Sequence, residues 1–186
     1  MRQVADDTKG KVGVAPSTIR DAGDGGYSLK VIKEGEKICP YRGKRLHSRA
    51  EVNEASKTSS YVLDYNGVAL DSKDAGVCTS RFFNDALDKL LWNCTFKVID
   101  GEIWVVATRR IEKWEELLLP YGWEYWWKRR LNIGKSMLGM AARAYPEISV
   151  LMNAGHTRLT KKEKVRNRWI KDNAPKPQPL LRRRGV

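Results

Sequence analysis

A chain of 186 residues, 41% of them hydrophobic, can fill one core of ordinary size and is too short for several. No apolar run reaches the roughly 20 residues a bilayer span needs, and polar residues 1–11 hold no signal-peptide core, so an intracellular protein without membrane contact is expected. The net charge of +13 is segregated: residues 1–127 carry 19 Lys and Arg against 19 Asp and Glu, and residues 128–186 carry 16 against 3. That pattern predicts a neutral folded unit followed by a basic extension that seeks polyanions.

Residues 12–122 read as short strands and turns. Turn-forming clusters at 21–26, Gly35, Gly43, Asn66-Gly67, 71–76 and Asp100-Gly101 separate β-rich runs at 27–32, 36–41, 61–65, 68–70, 94–99 and 103–107. Asp100-Gly101 is the strongest hairpin signal, because both residues tolerate positive φ. Residues 48–57 predict a short helix with Ser48 and Glu51 as a capping box. So many short strands predict a mainly β fold of small sheets with short helices, rather than a βαβ wrap. Cys39, Cys78 and Cys94 form no CxxC pair and lie far from His47 and His156, so core thiols are expected and no metal site.

From Trp123 the pattern turns helical. Residues 124–132 and 135–145 predict helices, and Thr160 with Glu163 predicts a capping box opening a basic helix that ends near Asp172. Pro175, Pro177 and Pro179 precede Arg182, Arg183 and Arg184 in what should be an extended arm. The expected division is a leader at 1–9, a β-rich domain at 10–127, a basic helical extension at 128–173 closing or flanking its site, and a flexible basic tail at 174–186.

Four motifs stand out. Gly23-Asp24-Gly25-Gly26-Tyr27-Ser28 precedes Gly35-Glu36, and its glycines permit close backbone approach. Tyr41-Arg42-Gly43 follows. Arg81-Phe82-Phe83-Asn84-Asp85-Ala86, trailed by Asn93-Cys94, runs an aromatic pair into a short amide that can both donate and accept. Glu115-Glu116-Leu117-Leu118-Leu119-Pro120-Tyr121-Gly122-Trp123 reads as a buried strand that ends by presenting Tyr121. Each alone is ordinary: a glycine turn, a strand residue, an Asx-turn, a core strand.

In this order and at this spacing the four resemble the SET-domain protein lysine methyltransferases, over about residues 10–127. The chain departs from the family pattern at Asp85 and Ala86 (His-Ser), at Trp114 (Gly) and at Pro120 (Asp), and it lacks the flanking zinc-binding cysteine clusters of many members. The resemblance implies a SET fold of small β-sheets whose C-terminal strand threads a loop, a pseudoknot joining Asn84 to Tyr121. It implies transfer of a methyl group from S-adenosylmethionine to a lysine that enters a channel from the opposite side. Tyr121 and Tyr41 match catalytic positions. Gly23, Gly25, Tyr27, Arg81, Phe83, Asn84 and Asp85 match the cofactor side, and Trp123, Leu119 and Tyr61 the substrate-lysine channel. Glu116 is expected to support the fold. Because the family binds cofactor there mostly through backbone, Asp85→His, which restores the family residue, is expected to be tolerated.

A histone tail is the family's default substrate, and the basic C-terminal region is expected to grip DNA or nucleosome, which together imply work in the nucleus, or the host nucleus for a viral source. Two other readings share the basic tail: a catalytically weak or inactive SET-like module that binds chromatin or nucleic acid, and a plain nucleic-acid-binding protein. Cofactor binding and methyl transfer separate the three.

Overall fold

The computed structural model describes residues 2–3, 8–73, 78–130 and 132–154. The helix expected from Thr160, the tail at 174–186 and His156 lie outside the described residues. In chain order the elements are β1 (Arg2–Gln3), β2 (Val12–Pro16), β3 (Asp24–Ser28), β4 (Lys37–Pro40), β5 (Lys44–Leu46), α1 (Arg49–Thr58), β6 (Val62–Tyr65), β7 (Val68–Asp71), a 3-10 turn (Thr79–Phe82), β8 (Cys94–Ile99), β9 (Glu102–Ala107), α2 (Trp123–Arg129), α3 (Lys135–Ala144) and α4 (Pro146–Asn153). The chain divides into two compact units: the first runs to Tyr145, and the second starts at Pro146 with α4 as its described helix.

Among the described residues the strands form three antiparallel sheets of three, ordered β1-β2-β3, β4-β9-β8 and β5-β7-β6. Two hairpins follow from two-residue turns at positive φ. Asp100 (54°) and Gly101 (77°) join β8 to β9, and Asn66 (47°) and Gly67 (79°) join β6 to β7. Both residues of such a turn must sit in the left-handed region, and Asn, Asp and Gly enter it at low cost. Helix α1 starts at Ser48, whose Oγ accepts from the Glu51 amide, while the Glu51 carboxylate accepts from the His47 amide at 2.8 Å. The box is thus displaced by one residue from its ideal form. Val52 seats α1 on Leu46 and Ala69.

The central sheet carries the main core. Val105 and Ile103 on β9, with Ile32, Ile111, Leu117 and Leu119, are fully buried, each contributing about 1.5–3 kcal/mol relative to exposure. Cys39, Cys78 and Cys94 are all buried thiols, and desolvation, with Glu115 adding to it, pushes the Cys94 thiol far up. Among the described residues no helix is long and apolar enough to cross a membrane, and no group of three or more His, Cys, Asp and Glu is placed to hold a metal ion.

Two expectations are corrected. The strand predicted at 27–32 lies at Asp24–Ser28 and takes in the glycines. Residues 117–119 are buried but belong to no sheet, being held by the single bridges Tyr27 to Glu116 and Asn84 to Leu118. Strands β2 and β5 carry no strong β-signal of their own and are set by pairing with β3 and β7.

Trp114 sits at φ 73° in the turn before this segment, 56% exposed, with Lys113 over its ring. A bulky residue in that region costs about 1–2 kcal/mol. Trp114→Gly is therefore expected to raise stability by about 1 kcal/mol, a melting-temperature gain of roughly 2–4 °C. A calorimetric melt of the pair checks it; an unchanged or lower Tm rejects the strain.

Candidate active site

Segment 116–119 organises the site. On one side the Leu117 amide donates to Gly26 O at 2.7 Å and the Ser28 amide to Glu115 O at 2.9 Å; on the other the Leu119 amide donates to Asn84 O at 3.0 Å. Asn93, 1% exposed, takes the place of a strand partner. Its side chain donates to Glu116 O at 2.7 Å and accepts from the Leu118 amide at 2.8 Å, and its own amide donates to Leu118 O at 3.0 Å. A buried backbone segment without a sheet still has to satisfy its polar groups, and one asparagine does much of that here. The segment thus lies between β3 and the 84–93 stretch, as the expected joining of Asn84 to Tyr121 requires, and it delivers Tyr121 beside the Phe83–Asp85 loop.

The glycines of β3 are required by contact. A Cβ on Gly26 would stand 2.4 Å from the Phe83 ring, and one on Gly25 would stand 2.3 Å from Glu116 Oε1. Phe83 is 1% exposed and cannot withdraw. Gly26→Ala is expected to cost about 1–3 kcal/mol by overpacking, read as a lower urea midpoint at unchanged m; an unchanged midpoint would mean the ring can move. Gly23 differs: it is exposed, at φ 76°, with nothing within 4 Å of an added Cβ.

Glu116 is buried and braces the fold, as expected. Its carboxylate accepts from Ser17 Oγ at 2.6 Å, from the Thr18 amide at 2.9 Å and from the Thr18 hydroxyl. Tyr27 donates to Pro16 O at 2.7 Å and reaches Glu116 at 3.5 Å, and burial followed by the Glu116 charge raises its hydroxyl pKa. Asn84 donates to Asp24 O at 3.0 Å, tying β3 to the loop and turning its amide oxygen the other way.

Four tyrosines gather at the end of the segment. Tyr121 donates its hydroxyl to Phe83 O at 3.0 Å. Its ring lies edge-on to Tyr125 at 4.6 Å and parallel to Trp126 at 6.0 Å. Tyr41, buried, donates to Tyr61 O at 2.8 Å. Desolvation raises the pKa of the Tyr121 hydroxyl well above its ordinary value, and Tyr125, Asp85, Tyr41 and Tyr61 add to it. Desolvation also dominates the upward shift at Tyr41. Both remain phenols at neutral pH.

Arg81 joins this group: its guanidinium lies 3.9 Å from the Tyr61 ring centre and bonds Lys73 O at 3.2 Å. Leu119 is fully enclosed in the core and Trp123 opens α2 half-buried. Tyr125, Trp126 and Tyr145 lie outside the four motifs, and only the aromatic density of 123–127 signals the first two; Asn93 lies in the third motif, which gives no sign of its bonds to residues 116 and 118.

Asp85 corrects the expectation of a tolerant position. It is 6% exposed and accepts five hydrogen bonds. Oδ1 takes the Leu87 amide and the Trp92 indole, both at 2.9 Å. Oδ2 takes the Tyr121 amide at 3.0 Å, the Trp126 indole at 2.8 Å and the Tyr145 hydroxyl at 2.6 Å. An imidazole accepts one such bond at most.

A fold of three small antiparallel sheets, crossed by a buried segment that ends in a tyrosine beside an asparagine loop, defines a SET-type domain. The SET domain family model matches residues 23–122, and the chain belongs to that family. Its methyltransferases use S-adenosylmethionine. Similar solved structures include a humanized mutant of the Chaetomium thermophilum Polycomb Repressive Complex 2 bound to an inhibitor, and apo ctPRC2 in an autoinhibited state. Each is 24% identical with a TM-score of 0.50, over 60% of this chain and 15% of the other. A third, ctPRC2 in an autoinhibited conformation bound to S-adenosylmethionine, has 24% identity, a TM-score of 0.49 and the same coverage. The likeness is one of fold, and this chain spans about 15% of the length of those chains. No curated protein sequence matches.

The donor set suits the family cofactor: open backbone at Gly23, and at Asn84 an amide oxygen fit for an ammonium group.

Proposed function

We propose that this chain is an S-adenosylmethionine-dependent protein lysine N-methyltransferase acting on a histone lysine in the nucleus. The observation that carries the reading is Tyr121, whose hydroxyl is held on Phe83 O at 3.0 Å between the Asn84 loop and the tyrosine group. Gly23, Gly25 and Asn84, with backbone of Phe83 and Asp85, hold the cofactor, which when bound supplies a methyl group on a sulfonium. Tyr121 and Tyr41 act on the incoming amine, while Tyr61 and Trp123 line its path. Because burial keeps Tyr121 and Tyr41 protonated, they orient the amine rather than deprotonate it. The substrate ammonium must lose its proton to expose a lone pair. A desolvated aromatic path flanked by the fixed charge of Arg81 lowers its pKa by burial and like-charge repulsion.

The test is radiolabelled methyl transfer to core histones and nucleosomes, with mass-spectrometric site mapping and calorimetry of S-adenosylmethionine. Label on a lysine supports the enzyme. Cofactor binding without transfer to any lysine replaces it with a SET-like chromatin-binding module, and absence of cofactor binding removes the enzyme.

The basic excess over residues 128–186 supports DNA or nucleosome as a partner through phosphate contacts. Deleting residues from Thr160 onward is expected to lower activity on nucleosomes and spare it on a free histone peptide. Nucleosome binding should weaken with salt by about one log unit per log salt for each phosphate neutralised. Paired assays at low and physiological salt check this, and equal loss on both substrates would assign the tail to the catalytic fold.

A further inference from the structure

We infer that Asp85 is a positioning residue for Tyr121, and that its carboxylate does the work of closing the site by docking α2 and the end of α3 onto the cofactor loop. The inference rests on the proposed methyltransferase reading for its functional side and on geometry for the rest.

The two oxygens divide the task. Oδ1 holds its own loop through the Leu87 amide and the Trp92 indole. Oδ2 holds everything that follows segment 116–119: the Tyr121 amide, the Trp126 indole of α2 and the Tyr145 hydroxyl just past α3. Tyr145 in turn accepts from the Gly122 amide at 3.2 Å, so the Tyr121 amide is anchored to Oδ2 directly and the next amide through the Tyr145 hydroxyl. The Trp126 ring it fixes lies 15° from parallel to the Tyr121 ring. Tyr121 is therefore held at its main chain by Asp85, at its ring by a side chain Asp85 orients, and at its hydroxyl by Phe83 O, two residues before Asp85.

Among the described residues none of the five donors is a cation: the carboxylate is held by oriented N–H and O–H dipoles, and such bonds to a carboxylate are short and directional. Neutral histidine offers one acceptor atom and cannot collect them. Trp92, Trp126 and Tyr145 supply three of the five donors.

The test compares Trp126→Phe, which removes a donor from Oδ2 and keeps an aromatic ring against Tyr121, with Trp92→Phe, which removes one from Oδ1 away from Tyr121. Both should lower Tm by similar amounts. Trp126→Phe should lower kcat on the order of tenfold, with the dissociation constant for S-adenosylmethionine within about twofold of wild type. Trp92→Phe should leave kcat within about twofold. An unchanged kcat in Trp126→Phe, or equal losses in both variants tracking Tm, overturns the positioning role. Independently of turnover, Asp85→Asn should shift both the Trp92 and Trp126 indole N–H resonances in a ¹H–¹⁵N spectrum. Unshifted resonances in the folded variant refute the network itself, whereas a wild type that shows the network and transfers no methyl group refutes only the methyltransferase reading.

Discussion

Tyr121→Phe should cut kcat by about 10²-fold or more while leaving S-adenosylmethionine affinity near wild type. The substitution removes one hydroxyl and keeps the ring that stacks on Trp126 and meets Tyr125 edge-on. Phe83 O loses its donor, a cost of about 1 kcal/mol, too little to unfold the domain. On the proposed reading the loss belongs to the transition state, the hydroxyl there orienting the amine for in-line attack and contributing little to ground-state binding. The pH–rate profile should keep its shape, because a buried phenol held protonated well above its ordinary range does not titrate near neutrality. Steady-state kinetics with calorimetric affinities check this, and near wild-type turnover in a folded variant would remove Tyr121 from the chemistry.

Asp85→His should destabilise the protein by roughly 3–5 kcal/mol, because several buried donors are left without an acceptor at about 1–3 kcal/mol each, partly relieved by local rearrangement. Domain stabilities run about 5–15 kcal/mol, so the loss is a large fraction of what holds the fold. Five donors lose their acceptor and at most one regains a partner on the imidazole. Returning the family residue is thus harmful in this background, the opposite of what the motif alone predicts. Urea melts of the two proteins measure it, and a wild-type midpoint would show that the donors find other acceptors.

The parts legible in the sequence are those fixed by local chemistry. The Asp100-Gly101 and Asn66-Gly67 turns and α1 with its Ser48 cap lie where turn and capping residues place them, and α2 and α3 follow the helical pattern at 124–132 and 135–145, though without side-chain caps. The order of the four motifs identified the family, and Glu116 was legible as a bracing group. What was not legible depends on distant partners. Gly25 and Gly26 read as a turn, yet they are strand residues thinned to admit Glu116 and Phe83. Leu117 to Leu119 read as a strand, yet their hydrogen bonds go to Asn93, Asn84 and Gly26 instead of a sheet. The role of Asp85 could not be read from its neighbours in sequence, because three of its donors come from residues 121, 126 and 145.

The inserted segment also sets an order of events during synthesis. The backbone groups of residues 116–119 find their described hydrogen-bond partners between two stretches, near 26–28 and 84–94, that precede them by at least about twenty residues. The three sheets can pair as soon as β9 is complete, but the groove between them stays open and wet until the last part of the domain leaves the ribosome. The tyrosine at the end of that segment is then set by closure of a long loop, an entropically costly step taken late. A nascent chain stopped short of Tyr145 has its sheets and the Asp85 acceptor but lacks one donor of the clamp, the Tyr145 hydroxyl, and a chain in that state is expected to expose apolar faces that chaperones bind and proteases cut. Competence for chemistry and protection from degradation therefore arrive together, at the end of translation of the first unit.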